Sequence, residues 1–561
     1  MARSSNAYFN YDIKLLCVEK TKVKIVTMIK VLFLLIILWV IIVLLSLNKY
    51  ELFFVDSARY ADVARNFLQD GYFITKFSFP INLHPFGNGW LVNLPPLHIA
   101  TITVFFKIFG ISDFAVILQS AFFFILGAAL VFLLADQLFG RRVAIFSAII
   151  YAFTPQLLNY AKDGASEPIF IFELLFISYL VVLNKRWSLF LGGLILGLSI
   201  FTKLQSYIFI PIFTAWVILL YNKNLRQLAS FLSGFVLILI MHIAGILFGH
   251  YSLIAVPFYL AFQQSSLFTG DDIARSGIIK QVDLSFFLQN LRVLLSKIFY
   301  NLYNFYKSIF TFTNLLPSWT SPLIVVIYLL SNINFLRKEA GEIRIFRFIV
   351  VLMVLGSFIL AAATSPHIRY VHLTIPFIII LSVDFIDKIL TKFGFNTRLV
   401  NVFMTIILVF FMVIPFLGTR FLDTRFNDRL FNIDKPYTHK VLGEKIGELT
   451  KETDIVATNL DSWGSWYGNR KTILIPLNIQ GFETLDKKIK IDAIFLTDFQ
   501  KDNQDHPLVG DWDLLYNTDE TLNSGFVGEN FALVKSGTIS ANEIYENQNF
   551  NFKLWLRNKQ K

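Results

Sequence analysis

Asp56 lies in the stretch Glu51 to Tyr72, ELFFVDSARYADVARNFLQDGY, a few residues beyond an apolar run long enough to cross a bilayer. Other ionisable residues also stand at the ends of apolar runs: Asp163 and Glu167 in DGASEP, Lys203 in LSIFTKLQ, and His367 and Arg369, with Tyr370, in SPHIRY. A carboxylate at a membrane surface can take the proton of a hydroxyl acceptor. Cations beside it can hold a phosphate and stabilise it as a leaving group. Such a set suits transfer of a group from a lipid phosphate to an acceptor. It also suits an ion or substrate transporter or a flippase. Taken singly, each residue is an ordinary loop charge. Lys203 then reads as a side chain snorkelling at a helix end and Tyr370 as one of many interfacial tyrosines.

The elements that must position these residues are membrane helices. The chain has 561 residues, 55% of them hydrophobic and 16% charged, with 61 phenylalanines. Soluble domains carry about 25% charged residues, so the chain reads as a polytopic α-helical membrane protein. Residues 1–30 carry six Lys or Arg, which puts the N-terminus in the cytoplasm. Val31 to Leu47 is read as a retained first span. An outer loop at 48–112 follows, with helical spacing from Asp56 to Leu68: Val55, Ala58, Val63 and Phe67 alternate with Arg59, Asp62 and Arg65. This predicts an amphipathic helix lying in the interface. Leu97 to Ile111 predicts a second interfacial or re-entrant helix. Further apolar runs, among them Phe114–Leu134, Val143–Leu158, Ile169–Leu183, Leu189–Phe201, Tyr207–Leu220 and Leu228–Phe248, alternate with Lys/Arg-rich loops on one side only. The count is about eleven spans within 31–417, N-terminus in and C-terminus out, with a second long outer loop at 249–317. That alternation places Asp56, Asp163, Glu167, Lys203 and Arg369 on one outer face of the cell membrane. Ionisable residues close to membrane depth are costly and tend to be functional.

Residues 418–561 change in composition. A helix-like Thr438 to Thr450 precedes short β-patterned runs at Ile455–Thr458, Thr472–Ile475, Ala493–Thr497 and Phe531–Val534, which predict a small extracytoplasmic α/β domain. The net charge of +11 is topological rather than a nucleic-acid signal, because the basic residues do not cluster on one soluble domain. Cys17 is the sole cysteine, so no internal disulfide or cysteine metal site exists. His84, His367 and His372 fit no recognised metal spacing with Asp56. No cofactor is assigned; a divalent metal stays open, without support from the sequence.

Four patches in order resemble the membrane glycosyltransferases of the GT-C fold, of the glycosyltransferase family 39 type, which includes protein O-mannosyltransferases and aminoarabinose transferases. They are DSARYADVAR from Asp56 with Gly71 behind it, NLPPLH from Asn93, GLSIFTK ending at Lys203, and SPHIRY from Ser365 with Pro376 following. DGASEP from Asp163 also matches the family's second acidic loop. The resemblance covers roughly residues 30 to 420. It implies a polyprenyl-phosphate-linked sugar donor in the membrane lipid, a hydroxyl acceptor (lipid, glycan or protein), inversion at the anomeric carbon, and Asp56 as general base. It implies donor and acceptor binding by Asp163 and Glu167, and phosphate binding by Lys203 and Arg369, with His367 and Tyr370 flanking the latter. Ser57 stands where many relatives have a second acidic residue, which argues against protein mannosylation. Asn93-Leu94 stand where the aminoarabinose transferases have Glu-Lys, so either another cation meets the phosphate or the donor sits differently. WGSWY at Trp463–Tyr467 is no substitute for the W-W-D-Y-G motif of oligosaccharyltransferases and is read as packing within the tail domain.

Overall fold

The computed structural model describes residue 37; residues 51–247 apart from 53, 81–82, 84, 92–93, 204 and 222–223; parts of 291–303; 327–332; 341–363; 369–409 apart from 408; 438–499; 508–517 apart from 509; 525–543; and 546–558. The N-terminal tail, the expected first span apart from residue 37, most of the expected loop at 249–317, His84, Asn93 and His367 lie outside the described residues.

Helix α1, Val55–Asp70, carries Asp56 in its first turn and stops at Gly71. There a left-handed φ of 76° lets the Gly71 N–H reach the Phe67 carbonyl. Three short antiparallel strands follow in part: β1, Ile74–Thr75, pairs with β4, Gly89–Leu91, which pairs with β3, Pro85–Phe86. Strand β2, Phe77–Ser78, goes elsewhere. Helix α2, Pro96–Phe109, starts on a proline whose missing N–H costs nothing in the first turn.

The bundle begins with α3, Asp113–Phe139, whose 27 residues are capped by Ser112 Oγ accepting the Ala115 N–H. Sequence periodicity predicts one span at 143–158. The structure instead breaks it into α4, Arg141–Ala152, and α5, Pro155–Lys162, with a bend of 56° between the two helices. Pro155 is the reason: it cannot bond back into α4, and it holds Thr154 in extended backbone. Then come α6, Glu167–Val182, and α7, Arg186–Leu198, with a 3-10 turn at Ser199–Phe201. They are followed by α8, Ser206–Tyr221; α9, Leu225–Leu247; α10, Gly341–Ala363; the short α11, Arg369–His372; and α12, Ile375–Lys392. An apolar helix at Thr397–Ile407 follows.

Helices α7 and α9 lie almost backbone to backbone, since a Cβ on Gly193 would sit 1.9 Å from the Phe231 carbonyl oxygen. Close approach of this kind is how membrane helices gain contact when burial in lipid gives them nothing. Among the described residues two helices, Asp113–Phe139 and Gly341–Ala362, are long and apolar enough to cross a membrane. The α4–α5 pair makes a third if taken as one broken span; the other apolar helices are shorter. At the end of the bundle away from Asp56, charges close the helix ends: Arg142 to Asp387 at 2.8 Å, and Asp384 to both Arg347 at 2.5 Å and Lys388 at 2.9 Å.

The C-terminal region is an α/β unit: α13, Thr438–Leu449; β5, Ile455–Thr458; α14, Ser462–Gly468; β6, Lys471–Leu474; α15, Ile479–Lys488; β7, Ala493–Thr497; α16, Asp511–Asn517; α17, Gly525–Asn530; β8, Phe531–Glu543; and β9, Glu546–Arg557. The sheet order is β2-β6-β5-β7-β9-β8. The first four strands are parallel and the last two antiparallel. The last strand, expected to end at Val534, runs on to Glu543 against a partner the sequence does not announce. The segment ENQNFN has little apolar alternation because much of this hairpin extends past β7. The larger departure is β2. Phe77 and Ser78 belong to the loop after α1 yet pair in register with Thr472 and Ile473, so that loop supplies the edge strand of the tail domain's sheet.

Candidate active site

The interfacial setting expected for α1 is not what the structure has. Ser57, Ala58 and every residue from Tyr60 to Asn66 are buried. The apolar face rests on α2, and the face carrying Arg59, Asp62 and Arg65 is covered by α14 of the C-terminal domain. Charged residues on that face would be costly in such a place unless partnered, and they are. Arg65 donates to the carbonyls of Trp466 at 2.9 Å and Ser465 at 3.1 Å, and to Asp62 at 2.5 Å. Its guanidinium also lies 4.8 Å over the Trp466 ring. Asp62, fully buried, accepts in addition from Thr75 Oγ1 at 2.8 Å and the Lys76 N–H at 2.6 Å, which pins the turn after α1 onto the helix.

Segment α14 is the WGSWY stretch, and it packs across the domain junction rather than only within the tail. The Tyr467 hydroxyl accepts the Leu52 N–H at 2.8 Å, and Trp463 Nε1 donates to the Leu52 carbonyl at 3.2 Å. Ser462 Oγ donates to the Val55 carbonyl at 2.8 Å, and Trp466 Nε1 to Asp113 at 2.7 Å. The two Leu52 bonds satisfy backbone groups just ahead of the helix that carries Asp56. Arg59 meets Asp461 at 3.1 Å, with side chains 19% and 1% exposed. Asp461 holds φ at 52° and ψ at −149°, a region that L-residues avoid, at a cost of about 1–3 kcal/mol.

Around Asp56, two acid–base pairs form from four separate elements. Arg369 of α11 donates to Asp56 Oδ2 at 2.8 Å. Lys203, just past the 3-10 turn, donates to Glu167 Oε1 at 2.5 Å. Glu167 opens α6, where the helix dipole favours a carboxylate. The pairs form one cluster, because each acid feels the cation of the other. Burial pushes the Asp56 carboxyl up, but Arg369, then Arg59, and Lys203 outweigh it and hold it below the usual carboxylate value. The Asp56 side chain keeps 39% of its exposure, so solvent softens all of these effects. Burial, reinforced by Arg369, brings Lys203 below its usual value despite Glu167.

The break at Lys203 is itself held. Thr202 Oγ1 donates to Glu173 of α6 at 2.6 Å, and Ser206 Oγ bonds to the Ser199 and Lys203 carbonyls at 2.5 and 2.7 Å. Acids at the first and seventh residues of α6 thus take successive residues of the broken segment. Asp163 is buried at the end of α5, close enough to Tyr160 for its charge to act on that hydroxyl. Tyr160 bonds His372 Nδ1 at 2.7 Å, tying α5 to α11. Tyr370 is buried, its ring 5.7 Å from the Arg369 guanidinium and packed on Ala361 and Ala362, so it backs the arginine instead of lining an open surface. His98 of α2 is fully buried with its ring edge-on to Tyr60 at 4.9 Å. Among the described residues no group of three or more His, Cys, Asp or Glu is placed to hold a metal ion.

Sequence reasoning brought Asp56, Glu167, Lys203 and Arg369 to one side, and the structure brings them together. It missed Arg59, Asp461, Tyr60, His98 and Glu173. The i, i+3, i+6 spacing of Arg59, Asp62 and Arg65 was the available signal: three charges on one helix face ask for a polar partner.

Comparison with known proteins places part of the sequence and the whole fold among glycosyltransferases. Residues 93–247 match the family model described as dolichyl-phosphate-mannose-protein mannosyltransferase. The undecaprenyl phosphate-alpha-4-amino-4-deoxy-L-arabinose arabinosyl transferases of Yersinia pestis and Yersinia pseudotuberculosis are 25% identical over 209 residues, 35% of this chain and 36% of theirs. The match thus spans about a third of these curated relatives. ArnT from Cupriavidus metallidurans bound to undecaprenyl phosphate superposes with a TM-score of 0.50 at 12% identity, covering 93% of this chain and 97% of that one. The Archaeoglobus fulgidus oligosaccharyltransferase, in complex with Zn and sulfate, gives 0.51 at 15% identity, covering 82% and 68%. The chain has the fold of these proteins, the GT-C fold.

Proposed function

We propose that this chain is a multi-pass membrane glycosyltransferase that moves a pentosyl or hexosyl group from a polyprenyl-phosphate donor to a hydroxyl acceptor on the outer face. The observation that carries the reading is the paired cluster Asp56–Arg369 and Glu167–Lys203, built from four elements under a docked α/β domain in a GT-C fold. The relatives, an undecaprenyl phosphate-alpha-4-amino-4-deoxy-L-arabinose arabinosyl transferase and a structure of ArnT bound to undecaprenyl phosphate, support the donor class.

In this mechanism the phosphate of the donor lipid draws Arg369 and Lys203 towards it. Asp56, losing its partner, becomes a better proton acceptor at the moment the donor is seated. It takes the acceptor hydroxyl proton as the acceptor oxygen bonds to the anomeric carbon. The bond from that carbon to the phosphate oxygen breaks, and the electron pair leaves on the polyprenyl phosphate, which the two cations stabilise. Attack opposite the leaving group inverts the centre. Glu167 holds Lys203 in reach between turnovers, and Asp163, Tyr160 and His372 brace the α5–α11 side.

The test is to incubate membranes with labelled undecaprenyl-phosphate mannose, glucose and 4-amino-4-deoxy-L-arabinose, and to ask which is consumed. Asp56→Asn should abolish transfer while donor-lipid binding persists; full transfer by that variant refutes the role of Asp56. Two observations favour a transporter or flippase instead: Glu173 is buried within an apolar helix, and α4–α5 is bent. Donor movement across proteoliposomes without sugar transfer would establish that reading.

A further inference from the structure

The C-terminal domain reaches towards Asp56 through one carboxylate. Asp461 Oδ1 accepts both the Ser462 N–H at 2.5 Å and Arg59 Nη2 at 3.1 Å. Arg59 follows Asp56 by three residues, on the same helix face. Its guanidinium also lies 5.3 Å from the Phe77 ring and 5.0 Å from that of Phe79. Phe77 belongs to β2, which is held in the tail domain's sheet. The domain therefore fixes Arg59 from two sides.

Docking does not require this pair. Arg65, Ser462, Trp463, Trp466 and Tyr467 already join α14 to the outer loop and the bundle. Yet Asp461 stands at a backbone conformation that glycine would adopt without strain. A carboxylate kept there against the backbone's preference calls for a role beyond adhesion.

We propose that Asp461 is a positioning residue for sugar transfer: by anchoring Arg59 beside Asp56, the C-terminal domain completes the active site and makes activity depend on its docking. This rests on the reading of Asp56 as the base. The groups acting on Asp56 are Arg369 of α11, Arg59 of its own helix, Lys203 beyond the 3-10 turn and Glu167 of α6. Tyr60 and Tyr370 adjoin the same cluster, and His98 faces Lys203 and Glu167. Among these groups Arg59 is the one that an ion pair of the described residues ties to the C-terminal domain.

The experiment uses the full-length protein in nanodiscs and needs no substrate. A carbodiimide labels protonated carboxyls, so labelling of Asp56, read by peptide mass spectrometry across about pH 2 to 6, reports its titration. Asp461→Gly relieves the backbone and removes the carboxylate. The expected result is an unchanged or higher thermal midpoint, intact hydrogen-exchange protection of α14, and an Asp56 labelling midpoint raised by about one pH unit. The sign is diagnostic. If Arg59 stayed in place, loss of the Asp461 charge would leave the midpoint unchanged or lower it; only release of Arg59 raises it. Arg59→Gln should give the same rise, and adding Asp461→Gly to it should add nothing. An unshifted midpoint in Asp461→Gly overturns the inference, and so does loss of α14 protection in both single variants, which would make the pair a structural tie. Transfer by Asp56→Asn would overturn the base reading and this inference with it. If Asp56→Asn is inactive and the Asp56 midpoint is unshifted in Asp461→Gly, this inference alone is overturned.

Discussion

Replacing Arg65 by methionine tests how the helix carrying Asp56 is held. The Arg65 side chain is 10% exposed, and its guanidinium satisfies two α14 carbonyls and the fully buried Asp62. Methionine keeps much of the stem's packing and removes every polar contact. Asp62 then stays buried as an anion with its hydroxyl and backbone donors but no cation, and two carbonyls lose a charged donor. Removing one member of a buried ion pair costs about 3–5 kcal/mol, because the orphaned charge remains. The carbonyls lie in the last turn of α14, so the loss falls on docking rather than on the distant end of the bundle. Since each 1.4 kcal/mol is tenfold, hydrogen-exchange protection of the Ser465–Asn469 amides should fall by about two to nearly four orders of magnitude. Amides of α3 near Gly127 should keep theirs. Adding Asp62→Asn should restore part of the loss, because an uncharged pair leaves no orphaned ion. Unchanged α14 protection in Arg65→Met, or a double variant worse than the sum of the singles, would refute the account.

Two further outcomes follow from the same geometry. Burial, with Lys203 nearby, lowers His98 from 6.5 to about 3, so the folded chain keeps it neutral where the unfolded chain takes up a proton. Its contribution is complete above 6.5 and is lost as pH falls towards 3; relative to His98→Gln, the wild type should lose up to about 1.4 kcal/mol per pH unit in that window, read as the difference in thermal midpoint against pH. Glu173→Gln can still bond the Thr202 hydroxyl and should keep transfer close to wild type, whereas Glu173→Leu strands that hydroxyl at about 1–3 kcal/mol and frees the Lys203 segment. The latter should raise the KM for donor lipid more than it lowers kcat, and equal behaviour of the two variants would refute the positioning of Lys203 through Thr202.

Local physics wrote much of this protein into its sequence. Apolar runs marked a mostly helical membrane protein, and the expected alternation of basic loops put Asp56, Glu167, Lys203 and Arg369 on one side. The helical spacing of α1 and the apolar β runs of the tail were visible for a similar reason, since each depends on neighbours a few residues apart. Pro155 also lay in plain view, but a short apolar run conceals whether a proline bends a helix or ends it. What only the tertiary structure decided is which charge meets which. Asp56 finds Arg369 across 313 positions, Arg59 finds Asp461 across 402, and Lys203 finds Glu167 across 36. No periodicity records such pairings, because burial energy depends on the side chain covered and not on where along the chain its cover comes from. The same holds for β2. Two residues of an outer loop carry too little pattern to read as a strand, and become one only because the edge of β6, nearly 400 residues later, offers its hydrogen bonds. The amphipathic α1 showed a polar face and left open what would cover it. Water and lipid headgroups satisfy such a face as readily as a protein domain does, and only the fold shows that α14 takes their place and seats the candidate base beneath it.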